Sequence, residues 1–147
     1  MPINPKSSAR MNKFLEELAK NGVGASHSSR SIYRVNEKTV PIRTTTKPWP
    51  IYWYDISESI MNGVEYLIYQ TSSSSHFVLF PSKFFKECYG KLRDSNRPYA
   101  KQFYIDWTRK SLVSKPGFSQ DIGSYCCCTK PGETASNWKS VLANELS

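Results

Sequence analysis

Residues 33–44 read YRVNEKTVPIRT, and residues 51–57 read IYWYDIS. These two stretches decide the fold class. Ile32, Tyr33 and Val35 open a strand, and Asn36-Glu37 is its turn. Thr39 to Thr45 makes the next strand, in which Pro41 argues for an edge position or a bulge because proline has no N–H for a ladder. Lys47-Pro48-Trp49-Pro50 is a rigid connector. Ile51 to Ile56 is a third strand, dense in aromatics. Tyr52 and Tyr54 share one face of it and Trp53 takes the other.

Helical signals lie on both sides of this strand-rich centre. Upstream, Met11, Phe14, Leu15 and Leu18 recur at helical spacing over residues 11–20, and Asn21-Gly22 stops the helix. The first ten residues read as a flexible arm. Downstream, Ser57 caps a short helix ending at Gly63. Val64 to Tyr69 is almost wholly apolar and β-prone, the pattern of a central strand buried on both faces. His76 to Phe80 is a further strand, halted by Pro81. Ser82 opens a helix reaching near Arg93, with Phe84, Phe85 and Cys88 toward the core. Lys101 to Val113 reads as one strand, with Phe103, Ile105 and Trp107 opposite Tyr104, Asp106 and Thr108. Residues 137–146 form a closing amphipathic helix. The expectation is an α/β (α+β) domain in which helices flank a single mixed sheet.

The chain has 147 residues, 39% hydrophobic and 14% aromatic, which is enough for one folded domain. No apolar run reaches membrane-spanning length, and MPINPKSSAR lacks the apolar core of a secretory signal. A cytoplasmic protein with no membrane partner is expected. The net charge of +8 is unevenly placed: residues 1–48 carry +6, residues 49–80 carry −3 and residues 81–147 carry +5. Two basic segments around an acidic, aromatic middle point to a polyanion such as nucleic acid. The cysteines are Cys88 and the triplet Cys126, Cys127 and Cys128. Their spacing does not match a zinc site, so small thiols on a reduced strand are expected, with a metal or redox role as the alternative.

The element order resembles the PD-(D/E)XK nuclease superfamily, in particular its restriction and intron-encoded endonucleases. The matching segments are VEYLIYQ at 64–70 and HFVLFPSKFF at 76–85, and the resemblance covers roughly residues 11–90. It implies a restriction-endonuclease-like core over residues 11–95, with a strand-rich C-terminal extension over 96–147. The family's chemistry needs a carboxylate on one strand and an acid-x-Lys on the next, which hold a divalent metal. Here Pro41 stands where the acid belongs, Arg43 stands where the lysine belongs, and Arg34 falls near the expected aspartate, with Glu37 displaced toward the turn. Proline offers no ligand, and arginine does not give up its proton near neutral pH.

What remains is a scaffold that grips DNA. The resemblance implies a DNA-binding protein associated with restriction or mobile-element systems, with double-stranded DNA as partner and a homodimer as one arrangement. Arg34, Arg43 and Lys47 would line the concave face. Trp53 or its neighbours would press on a base or sugar, and Lys83, Lys86 and Arg97 would clamp phosphates. A solvated charged face is the plainer reading of the lysines on 83–93. The alternative is an active Mg²⁺-dependent endonuclease with relocated acids, using Asp55, Glu65 and Glu16. A protein-interaction or regulatory domain is the third reading.

Overall fold

The structure, a computed structural model, describes residues 5–20, 24–29, 32–35, 38–44, 51–71, 76–114 and 117–128. The expected turn at Asn36-Glu37, the connector with Lys47, the serine loop from residue 72, and the closing helix at 137–146 lie outside them. In chain order the elements are α1 (Pro5–Lys20), β1 (Ala25–Ser29), β2 (Ile32–Val35), β3 (Lys38–Arg43), β4 (Ile51–Ser57), α2 (Glu58–Gly63), β5 (Tyr66–Gln70) and β6 (His76–Pro81). Then come α3 (Ser82–Cys88), a 3-10 turn (Tyr89–Lys91), β7 (Arg93–Asp94), β8 (Ala100–Asp106), β9 (Ser111–Val113), β10 (Ser119–Asp121) and β11 (Cys126–Cys128).

The fold is mixed α+β, but it is built on two sheets rather than the single sheet expected. One has six strands in the order β1-β2-β3-β5-β6-β11. The other has five: β10-β9-β8-β4, with β7 also paired to β8. The reason for the second sheet is visible in β5 and β6. Leu67, Ile68, Tyr69, Phe77, Val78, Leu79 and Phe80 are all buried, so both faces of these strands need an apolar cover. Met11, Phe14 and Leu18 of α1 cover one face, packing with Val40, Ile42, Ile68, Phe77 and Leu79. The other face carries Leu67, Tyr69, Val78 and Phe80. It meets Tyr52, Tyr54 and Ile56 from β4 and Phe103 and Ile105 from β8. β4 therefore leaves the first sheet and pairs along its whole length with β8, from Ile51 opposite Asp106 to Ser57 opposite Ala100.

Other departures have local causes. Helix α1 begins at Pro5, so six of the ten residues of the expected arm are helical; proline's fixed φ suits the first helical position. Pro41 is buried inside the six-stranded sheet, not at an edge. It is tolerated because β3 pairs with β5 only at Ile42 and Arg43, beyond the missing N–H. Helix α3 stops at Cys88 and tightens into the 3-10 turn. The single strand expected over 101–113 is a hairpin, β8 to β9, with Asp106 accepting from the Thr108 amide at 3.2 Å and the Thr108 hydroxyl at 2.7 Å to make the turn. The cap at Ser57 is as expected, accepting from the Ile60 amide at 3.3 Å.

Two tyrosines join the sheets reciprocally. Tyr54 on β4 donates its hydroxyl to the Gln70 carbonyl at 2.6 Å, and Tyr69 on β5 donates to the Asp55 carbonyl at 3.1 Å. Each hydroxyl thus bonds the residue after the other tyrosine, and the rings meet edge-to-face with centroids 4.7 Å apart. Removing either hydroxyl removes one of the two hydrogen bonds that join the sheets here. We expect Tyr54→Phe and Tyr69→Phe each to cost about 1–2 kcal/mol in urea unfolding. The double variant should cost less than the two together, because the two bonds share one contact. Strictly additive losses would contradict the shared clasp.

Candidate nucleic-acid interface

The clasp sets the geometry of a polar site at the mouth of a cleft. β3 and β5 run parallel with Arg43 opposite Tyr69, and the Tyr69 hydroxyl holds the backbone of Asp55. Asp55 is thereby brought from the second sheet to Arg43 on the first. The Arg43 Nη1 lies 3.5 Å from Asp55 Oδ1, and the Arg97 Nη2 lies 2.8 Å from the same oxygen. The Asp55 side chain is 22% exposed, those of Arg43 and Arg97 41% and 59%. Two guanidiniums share one carboxylate, so the group keeps a positive excess and unused fork donors. Behind it lies a cleft of about 300 Å³ with an apolar floor of Ile32, Pro41 and Leu67. Burial raises the Tyr69 phenol far above its ordinary range, with Arg43 pulling it down and Asp55 pushing it up, so Tyr69 stays a donor at neutral and mildly alkaline pH.

Arg97 is positioned by its own loop. The Arg97 amide donates to Ser95 Oγ at 3.0 Å, and that hydroxyl donates to the Arg97 carbonyl at 3.2 Å. Two residues on, Tyr99 sits at φ 61° with its side chain in solvent. Its carbonyl accepts from the Glu58 amide at 3.1 Å and the Tyr89 hydroxyl at 3.2 Å.

A second feature lies on the outer face of the five-stranded sheet. With Tyr52, Tyr54, Phe103 and Ile105 turned inward, Trp53 and Tyr104 fall opposite each other on the outside. Their ring centroids are 4.8 Å apart at 54°, and the Arg93 guanidinium lies 5.9 Å from the Trp53 ring. The Ser114 hydroxyl anchors the Arg93 backbone by accepting from its amide at 2.7 Å while donating to the Gln102 carbonyl at 2.6 Å.

The structure brings some of the expected site residues together and separates others. Arg34 shares with Arg43 the sheet face turned away from α1, yet it pairs with Thr39, four residues from Arg43 and so about 13 Å along the strand. It does not line the cleft. Lys47 lies outside the described residues. Lys83 is exposed, 4.0 Å from Glu87 one helical turn on. Lys86 lines a different hollow, of about 350 Å³, together with Lys38 and Glu65. Glu16 is exposed on α1, across the six-stranded sheet from Asp55. The three acids Asp55, Glu65 and Glu16 therefore share no cavity. Among the described residues no three His, Cys, Asp or Glu side chains are grouped as a metal would need. No described helix is long and apolar enough to cross a membrane.

Sequence reading missed Arg93 and Tyr104 as companions of Trp53. Alternation already placed Tyr104 on the polar face of its strand, but joining it to Trp53 needs the β4–β8 register, which no local signal carries. Comparison with protein-family profiles, with characterised proteins and with solved structures finds no match to this chain.

Cys126 heads the edge strand β11 opposite Val78, and both it and Cys88 are buried free thiols in the core between the sheets. Burial pushes each from an ordinary 9.0 to about 11. Both should resist alkylation at pH 8 in the folded protein and react on unfolding, as peptide mass analysis would report. A neutral thiol in the fold against an ionised one in the unfolded chain gives a definite sign. Stability is fully present below pH 9 and is lost as pH rises toward 11, by on the order of 2 kcal/mol per thiol. Flat stability across that window would contradict thiol burial.

Proposed function

We propose that the protein binds nucleic acid, with Arg43 and Arg97 as phosphate contacts, on a nuclease-like core that holds its target without cutting it. The observation that carries this reading is the meeting of two arginines, one from β3 and one from the loop before β8, around one carboxylate, all three partly exposed. Asp55 pre-orients both forks and leaves a net positive mouth, the arrangement that suits a bridging phosphate. The net charge of +8 adds long-range attraction.

The nuclease-like core is supported by element order. Helix α1, the antiparallel strands β1 to β3, helix α2 and a β5 strand parallel to β3 follow the sequence of parts in the PD-(D/E)XK superfamily, with β4 diverted to the second sheet. In that frame Pro41 and Arg43 occupy the places of the acid and lysine, and the resemblance favours DNA and a restriction or mobile-element setting. The alternative, a Mg²⁺-dependent endonuclease, would use Asp55 as ligand. A divalent ion there would have to share a carboxylate already paired with two guanidiniums.

The test is an anisotropy titration with labelled DNA across a salt series, in EDTA and in Mg²⁺. We expect affinity to fall steeply with salt and the DNA to stay intact in Mg²⁺. Arg43→Ala and Arg97→Ala should each weaken binding several-fold and reduce the salt slope by about one. Asp55→Asn should weaken binding despite the added net positive charge, because both forks lose the carboxylate that orients them. Absence of binding at low salt would overturn the reading, and Mg²⁺-dependent cleavage abolished by Asp55→Ala would transfer it to the alternative.

A further inference from the structure

We propose that the ligand is an unpaired strand, stacked on the outer face of the five-stranded sheet by Trp53 and Tyr104 and edged by Arg93, Arg97 and Tyr99. This rests on the nucleic-acid reading and changes the expected duplex to a single strand.

The first observation is the platform. Trp53 is 38% exposed on the outer face of the sheet, and Tyr104 lies against it there at 4.8 Å. No described helix covers this face. The core residues of α2 and α3 sit between the sheets, and those of α1 lie beneath the six-stranded sheet. Arg93 at 5.9 Å from the Trp53 ring places a planar cation beside the aromatic pair. A rigid strand pair is a good base for such a site, because the β4–β8 ladder fixes both rings in register.

The second observation is independent of the first and lies at the end of the same strand. Tyr99 directly precedes β8, is 85% exposed, and holds a left-handed φ of 61° that bulky residues adopt at a cost. The hydrogen bonds to its carbonyl from Glu58 and Tyr89 maintain that conformation. The outcome is a fixed backbone that presents an aromatic ring to solvent two residues after Arg97. A conformation held this firmly around an exposed ring fits a ring that waits for a ligand.

The chemistry of these groups selects the occupant. Aromatic faces beside guanidiniums match a polymer that alternates flat bases with phosphates. In a duplex the base faces are stacked on one another and closed to protein rings, so only an unpaired strand can use Trp53 and Tyr99. Arg97 connects the platform to the cleft, since it bonds Asp55 beside Arg43.

The experiment compares a short labelled oligothymidylate with a blunt duplex at the same salt concentration, using the full chain and the variants Trp53→Ala, Trp53→Phe, Tyr99→Ala and Arg97→Ala. Thermal unfolding of each variant checks that it is folded. We expect the single strand to bind more tightly than the duplex. Trp53→Ala should weaken the single strand about tenfold, the loss expected for one base stack, while Trp53→Phe keeps most of the affinity. Tyr99→Ala should weaken the single strand in the same way and leave duplex binding unaltered. If the duplex binds at least as tightly and Trp53→Ala changes neither ligand while Arg97→Ala weakens both, the single-strand inference is overturned and nucleic-acid binding stands. If neither ligand binds at low salt, both are overturned.

Discussion

The reciprocal bond between Tyr54 and Tyr69 is the constraint on which the rest of the structure depends. Each tyrosine belongs to a different sheet, and each donates to the carbonyl that follows its partner. The pair fixes how the two sheets face each other at their most aromatic point, where Tyr69 also meets Phe103 at 5.3 Å and Phe80 at 5.8 Å. Buried hydroxyls need partners, and here the partners are the carbonyls of Gln70 and Asp55. The same contact decides where a charged residue goes. Asp55 follows Tyr54 in the chain and Arg43 stands opposite Tyr69, so joining the tyrosines brings the two charges to the same cleft.

The electrostatics of that cleft favour positioning over stability. Ion pairs this exposed contribute at most about 1 kcal/mol. The greater consequence is that the long side chains of Arg43 and Arg97 are held near one oxygen, which lowers the entropy lost when a phosphate arrives. The middle of the chain carries −3 and its flanks +6 and +5. Folding places Asp55 from that acidic segment between arginines from the two basic ones.

Much of the local structure was legible in the sequence because its causes are local. The cap at Ser57, the stop at Pro81, the split of Tyr52 and Tyr54 from Trp53, and the doubly buried strand at 66–70 each follow from two or three neighbouring residues. The second sheet was not legible, although the doubly buried strand implied a layer on each face. Which segment would supply that layer depends on the pairing of β4 with β8, about fifty residues away in sequence. The fate of Pro41 was hidden for the same reason, since a proline inside a sheet is tolerable only where the neighbouring ladder has not begun. For the site, the chemistry of Arg43, Asp55 and Arg97 was readable one residue at a time, but their meeting was not. Asp55 read as one of the relocated acids of the endonuclease alternative, whereas it is the point at which two arginines from distant segments converge.

If the packing of the two sheets builds the binding site, a double-variant cycle on nucleic-acid affinity will register it. Tyr69→Phe loosens the hold on Asp55, and Arg97→Ala removes one fork from it. Affinities for one labelled strand would be measured at fixed low salt for the parent, the two single variants and the double variant, with each shown to be folded at the temperature used. Coupling is expected: Arg97→Ala costs clearly less affinity in the Tyr69→Phe background than in the parent, because the guanidinium has already lost its positioned partner. Equal costs in the two backgrounds would contradict it, and would mean that Arg97 acts as a surface charge independent of the clasp.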